Sequence, residues 1–422
     1  MGFRRLLDHL AVAAVAGLCL ATASPAFASD PPATATTASA PAAPGRERVR
    51  MNRRVFDRVW NEVRNQYYDP GLHGVDWTAA RRTFRPRALA AADDRALYAA
   101  LNEMLDLLDD DHAGAAPPAV ARRQDTLRER RPAIGVSLRA VDPASGRYRV
   151  ERVRPGSPAG RAGVRPGWIL ATGAPGQWSP EQDVEAGRSV HLAFTDETGA
   201  PRPLELAPEI LEPEPAFVAD RSRPGVVVLR VEGFEAGLGD WMGEELARTR
   251  PDTDVIVDLR GNPGGRLMEA DAVLSCFLPR DLPWATRTGR SGRAVEMRTA
   301  GGCGPLDGPA PHEVVVLVDG DSRSAAELTP AALQEARRAL VVGEPTAGAV
   351  LISQETRLPD GGKLTLSRAD FVTAAGVRLE KRGVTPDLPA DGEGDAALLA
   401  ALAALTRPTL AAAAEGGAGP GL

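Results

Sequence analysis

The sequence predicts an α/β protein in three successive parts: a helical N-terminal region, a small β-rich unit, and a larger core of alternating strands and helices. Three observations carry that expectation. Apolar residues recur at helical spacing between residues 50 and 112. Short strand-like runs punctuated by Gly and Pro fill 131–212. The stretch 314–349 reads as strand, tight turn, helix and strand.

Ahead of these parts, residues 1–28 have the form of a secretory leader. Arg4 and Arg5 precede an apolar run from Leu10 to about Ala21, and Ala26-Phe27-Ala28 offers a small-residue cleavage site. The run is short for a membrane span, so no stable span is expected. Leu18 before Cys19 argues against lipidation. Residues 29–49 are an Ala/Pro/Thr-rich linker and 401–422 a low-complexity tail. A periplasmic or secreted location follows from the leader.

Net charge is −6 with scattered positive charge, which gives no support to nucleic-acid binding. Cys/His spacing suggests no metal site, and no cofactor is expected. Beyond the leader lie Cys276 and Cys303, which an oxidising compartment would allow to pair, and which fit ordinary buried thiols equally well. Of the 50 basic residues only Lys363 and Lys381 are lysines.

The N-terminal region, 50–126, carries two apolar stripes. Val55, Val59, Trp60, Val63 and Tyr67 form the first, and Leu97, Leu101, Met104, Leu105 and Leu108 the second. The second helix ends in Asp110-Asp111-His112-Ala113-Gly114, where a protonated histidine would suit the helix dipole.

The β-rich unit, 131–212, contains Ala133-Ile134-Gly135-Val136, then Pro155-Gly156-Ser157-Pro158-Ala159 and Ala162-Gly163-Val164, with one short helix around 159–162. That order resembles a PDZ domain of the bacterial protease-associated type. The resemblance implies that Ala133, Ile134, Gly135 and Val136 form a carboxylate-binding loop, which captures a peptide C-terminus while the peptide adds a strand. Trp168 departs from it, standing where such domains usually carry Asp.

In the core, 213–400, strands are expected at 225–231 and 254–259 with a helix at 241–249 between them. Asp258-Leu259-Arg260-Gly261-Asn262-Pro263-Gly264-Gly265 then opens a helix over 266–277. Lacking both G-x-G-x-x-G and a Lys-Ser/Thr pair, this turn does not suggest a nucleotide site. Val314–Val318 is a continuous apolar run, as in a strand buried on both faces, and Asp319-Gly320-Asp321-Ser322 is turn chemistry. Ser324 sits where turn meets helix, with Pro330 kinking that helix or lying near its first turn. With Glu327 it matches a capping box, a purely structural role. Its hydroxyl also lies among unpaired helix-start N–H groups able to stabilise an oxyanion.

DLRGNPGG, SRSAAEL, QEARRALVVGEPTAG, LPDGGKLTLS and RGVTPDL, in this order behind the helical and PDZ-like parts, resemble the C-terminal processing (tail-specific) peptidases over roughly 50–395. The resemblance implies Ser324 as nucleophile, and an oxyanion hole from Gly264 or Gly265 with Ala325. It also implies a lysine base, and that position is Ala349 here, which cannot accept a proton. His191 lies in the PDZ-like part and His73 between helices. His312 precedes a strand that separates it from Ser324 by about 20 Å. His112 remains, and the related tricorn-core branch has a histidine base at such a helix end, with a glutamate at a position similar to Glu380. The expected function is a serine endopeptidase acting on exported proteins or peptides. The alternatives are an inactive peptide-binding scaffold, and a Ser–Lys dyad using Lys363 or Lys381.

Overall fold

The computed structural model describes residues 44–125, 130–142, 146–172, 184–185, 187–390 and 395–406. The leader and most of the linker and tail lie outside the described residues. At the N-terminus α1 (Arg46–Gln66), α2 (Trp77–Ala90) and α3 (Asp94–Leu105) pack together. The helix α1 begins inside the stretch expected to be linker, because its register already places Asn52, Val55 and Phe56 in the core. Asp93 caps α3 through the Ala96 N–H at 2.8 Å. The unexpected helix is α2, which buries only Trp77, Ala80 and Ala88 and so has almost no apolar stripe. It is pinned by reciprocal indole bonds, Trp60 Nε1 to Trp77 O at 2.9 Å and Trp77 Nε1 to Trp60 O at 3.1 Å. After α3 come a 3₁₀ turn, Asp106–Leu108, the short strand β1 (Gly114–Ala116) and α4 (Pro118–Asp125).

The β-rich unit opens and closes with β2 (Arg131–Ala133) paired antiparallel to β8 (Glu209–Leu211). Between them β3 (Val136–Asp142), β4 (Arg147–Val153), β5 (Ile169–Ala171), β6 (Val190–Thr195) and β7 (Pro201–Leu206) form one antiparallel sheet in that order. The short helix α5 (Pro158–Arg161) lies between β4 and β5, with Ser157 as its cap.

The core has a six-stranded sheet ordered β18 (Leu388–Pro389), β15 (Leu340–Gly343), β14 (Val314–Val318), β11 (Asp254–Asp258), β10 (Val226–Val231) and β9 (Phe217–Asp220). All neighbours are parallel except β9 and β10. The helices α6 (Leu238–Arg248), α7 (Leu267–Phe277) and α8 (Ala325–Glu335) share one hydrophobic cluster with Val314, Val316 and Val318. Val315 and Leu317 join the opposite cluster with Ala397, Leu398 and Ala401 of α9 (Ala396–Leu405). Alternate residues of a strand point to opposite faces, so an all-apolar β14 follows from having helices on both sides. Ala401 is fully buried, so α9 extends into what composition suggested was tail.

A second, antiparallel sheet contains β1, β12 (Pro283–Gly289), β13 (Ala294–Arg298), β16 (Ile352–Arg357) and the long β17 (Lys363–Thr373). Leu364 and Leu366 of β17 pack with the N-terminal helices, while Phe371 belongs to the main core. One strand therefore ties both hydrophobic units. Pairing of Gly114 with Thr365 and Ala115 with Leu364 anchors the chain just after His112. Cys276 and Cys303 form a disulfide, which settles the question the sequence left open.

Candidate active site

The turn from β14 to α8 is held from within. Asp319 Oδ1 accepts the N–H groups of Gly261, Asp321 and Ser322 at 2.9–3.0 Å. The buried Ser322 hydroxyl donates to Leu259 O at 2.8 Å, and Arg323 N donates to Asn262 O at 2.9 Å. The post-β11 and post-β14 loops are thus one unit. Ser324 sits on top of it with φ 55° and ψ −117°. A residue that merely caps a helix has extended backbone, as Asp93 has at the start of α3, with φ −141° and ψ 177°. Ser324 is instead in a sparsely populated, strained conformation at the junction of turn and helix.

The glycine turn fits against it. A side chain on Gly264, at φ 93°, would come within 2.7 Å of both Arg323 O and Ser324 Cβ. Sequence reasoning offered the Gly264 N–H as an oxyanion donor, but it donates to Asn262 Oδ1 at 2.8 Å. Asn262 is itself locked by its Nδ2 bond to Val231 O. The adjacent Gly265 N–H has no acceptor among the described residues. Ala325 provides the first amide of α8, which has no intrahelical acceptor.

Behind Ser324 lies the loop where a lysine was expected. Ala349 is buried, and its carbonyl accepts the Ser324 N–H at 2.8 Å. The fully buried Glu327 carboxylate binds the loop to the turn. Oε1 accepts from Thr346 Oγ1 and Gly348 N, each at 2.6 Å, and Oε2 from Ala349 N at 2.9 Å and Ser324 N at 3.0 Å. The capping-box reading of Glu327 captured one of these four bonds. Its main work is to fix the Ser324 backbone against the 346–349 loop.

Across from this unit stand His112 and Glu380. The Val350 N–H donates to Glu380 Oε2 at 2.9 Å, and Lys381 N donates to Gly348 O at 2.7 Å, so the Glu380 loop is stitched to the same segment. Lys381 Nζ then reaches Asp111 Oδ2 at 2.9 Å, joining this loop to the helix end that carries His112. His112 is half-buried, and its backbone N–H donates to Asp110 Oδ1 at 2.8 Å. Burial holds its imidazole below the usual histidine range. Asp110 and Asp111 oppose that shift, while Arg323 and Lys381 reinforce it. Arg323, which immediately precedes Ser324, is close enough for its charge to act on His112. Burial pushes the Glu380 carboxyl up, against the Val350 N–H bond that lowers it. His112 Nδ1 and Glu380 Oε1 are both buried without a hydrogen-bond partner among the described residues.

Neither lysine suits a base. Burial would lower Lys381, but Asp111 and Asp109 outweigh it and raise its pKa. Lys363 is likewise raised overall, paired at 2.8 Å with both Asp125 and Glu355. His312 is buried and bonded to Thr253 O through Nδ1, and His73 to Leu108 O and Tyr68 OH. His191 is exposed on β6.

In the β-rich unit Gly135 has φ 82°, and a side chain there would meet Ser157 Cβ at 2.2 Å. Ile134 O accepts from Ala159 N and Gly135 O from Arg154 N, both at 2.9 Å, so the loop is seated on the start of α5. Ala133 ends β2 and Val136 opens β3, an edge strand of its sheet. Trp168 fills the core of this unit and donates Nε1–H to Glu197 at 2.6 Å.

Comparison with known proteins agrees with this architecture. Residues 225–390 match Peptidase family S41, and residues 50–106 match the Tricorn protease C1 domain. A carboxyl-terminal-processing protease of Synechocystis sp. is 29% identical over 343 residues, spanning 78% of each chain. A chloroplastic C-terminal processing peptidase of Tetradesmus obliquus is 28% identical over 80% of this chain and 77% of its own. The solved structure of a photosystem II D1 C-terminal processing protease superposes with a TM-score of 0.58 at 24% identity, over 81% of this chain and 94% of its own. The S41 match covers both loops that converge on Ser324, and the Tricorn C1 match ends six residues before His112. The chain thus carries a Peptidase family S41 domain at residues 225–390 and is similar over most of its length to carboxyl-terminal-processing proteases.

Proposed function

We propose that this chain is a serine endopeptidase in which Ser324 is the nucleophile and His112, not a lysine, is the base. The observation that carries the reading is the Ser324 backbone, whose φ of 55° a helix cap does not need. Ser324 Oγ attacks the scissile carbonyl carbon while His112 takes the hydroxyl proton. The tetrahedral oxyanion lies between the N–H groups of Gly265 and Ala325, and Gly264 admits it by lacking a side chain. His112 then gives its proton to the leaving amine, and repeats both transfers as water releases the acyl group. Glu380 faces the imidazolium charge that forms. The lowered His112 pKa keeps the imidazole neutral, and hence basic, at neutral pH.

The substrates are exported proteins or peptides, and residues 1–28 direct the chain to the same compartment. The disulfide suits that setting. A substrate C-terminus adds to the edge of β3, with its carboxylate in the Ala133–Val136 loop. C-terminal carboxylate peptides should therefore bind the full chain, and amidated ones much more weakly; equal binding removes this part. A fluorophosphonate probe should label the full chain, and Ser324→Ala should abolish labelling. Failure to label beside a labelled control protease would favour a peptide-binding scaffold, the reading to which Ala349 gives weight.

A further inference from the structure

Four buried side-chain atoms near His112 have no partner among the described residues: Tyr67 OH, Asp110 Oδ2, His112 Nδ1 and Glu380 Oε1. Orphaned buried polar atoms are uncommon and each is costly. Four on one cluster require a reason. Tyr67 is wholly buried at the C-terminal cap of α1, and Asp110 is 7% exposed. Asp110 Oδ1 already accepts the His112 N–H, and its carbonyl accepts the Ala113 N–H at 3.0 Å. The surrounding frame is rigid. Tyr68 N donates to Ser367 O of β17 at 3.1 Å, and His73 Nδ1 meets Leu108 O at 2.7 Å. The set is also balanced, since the phenol and one imidazole N–H can donate to two carboxylate oxygens.

We propose that Tyr67 and Asp110 are positioning residues for His112, the phenol holding the Asp110 carboxylate that in turn fixes the histidine loop and faces the imidazole. This rests on the peptidase reading above. With Tyr67 paired to Asp110 and the His112 ring proton held on Nδ1 by the facing Asp110 carboxylate, the other ring nitrogen is left as the acceptor for the Ser324 proton. Burial and then the Asp110 charge push the Tyr67 phenol well above its usual range, so it stays a donor throughout. The charged groups acting on His112 are Asp110 and Asp111, which favour its protonation, and Arg323 and Lys381, which oppose it. Sequence reading assigned Tyr67 to the apolar stripe and Asp110 to an acidic helix end. The only signal for more was their placement beside the histidine.

The test uses Tyr67→Phe and Asp110→Asn in the full chain, beside His112→Ala and Ser324→Ala. Steady-state cleavage, thermal unfolding and the His112 titration by imidazole NMR are measured. Tyr67→Phe keeps the buried ring and removes only the hydroxyl that holds Asp110, so kcat should fall about tenfold at unchanged KM while the melting temperature changes little. Asp110→Asn should lower kcat by about 10–100-fold and move the His112 titration to lower pH. Wild-type kcat in Tyr67→Phe, or an unmoved His112 titration in Asp110→Asn, overturns the proposal. Full activity in Ser324→Ala and His112→Ala would instead overturn the peptidase reading. The titration still decides whether Asp110 acts on the ring.

Discussion

The two halves of the site are built differently. On the Ser324 side the buried side chains that shape the turn are all engaged: Glu327 accepts four bonds, Asp319 fastens three amides, and Asn262 locks the glycine turn. On the His112 side, four buried atoms have no partner among the described residues. Satisfied networks rigidify, whereas partly satisfied ones leave alternatives open. The Ser324 turn is therefore pre-organised, and on the proposed mechanism the His112 end is where small changes should alter rate without altering the fold.

That contrast can be broken first at Glu327. Glu327→Ala would strand the Gly348 and Ala349 N–H groups and the Thr346 hydroxyl and leave Ser324 N with only the Ala349 carbonyl, so it should cost about 3–5 kcal/mol in denaturant unfolding and abolish labelling. A stable, labelled variant would show that the turn does not depend on this carboxylate. The disulfide comes next: its separation of 27 residues corresponds to about 3–4 kcal/mol of loop-closure entropy. Replacing both cysteines by serine should lower stability by that amount yet leave the pH profile unchanged. Gly264→Ala should cost about 1–3 kcal/mol, from strain at positive φ and a forced contact with Ser324, with loss of labelling larger than loss of stability. At the small end, Lys381→Ala removes pairs whose side chains are 40%, 50% and 88% exposed, so it should change stability by about 1 kcal/mol or less. Cleavage should persist in it and in Lys363→Ala; loss of activity in either would restore a lysine base.

Much of this contrast was legible in the sequence, and unevenly so. β14 was evident because five consecutive apolar residues need helices on both faces. Ser324, the glycine turn and the missing lysine at Ala349 were visible because each is a local pattern. The helix α2 was not, because its two Trp–Trp backbone bonds replace an apolar stripe. The choice of Gly265 over Gly264 depends on where the Asn262 side chain points, which no local pattern specifies. Glu327 offered only its capping spacing, since its other three partners come from residues 346–349. Tyr67 and Asp110 were hidden for the opposite reason: a stripe and an acidic helix end already explained them.

Protonation tests the base directly, and the sign is fixed by the lowered His112 pKa. The folded chain binds this proton less readily than the unfolded chain, so His112 favours folding above its unfolded pKa of about 6.5. That contribution is lost as pH falls through the lower folded value. The activity of a neutral imidazole base should fall off over the same acid range, below about pH 6.5.

The most direct measurement is the pH dependence of peptide cleavage by the wild type beside His112→Ala. The wild type should show an acid limb centred below about pH 6.5, and His112→Ala should lose at least about a hundredfold in kcat with no such limb. An undiminished His112→Ala, or a wild-type profile that rises only in the alkaline range of a lysine, would contradict the account.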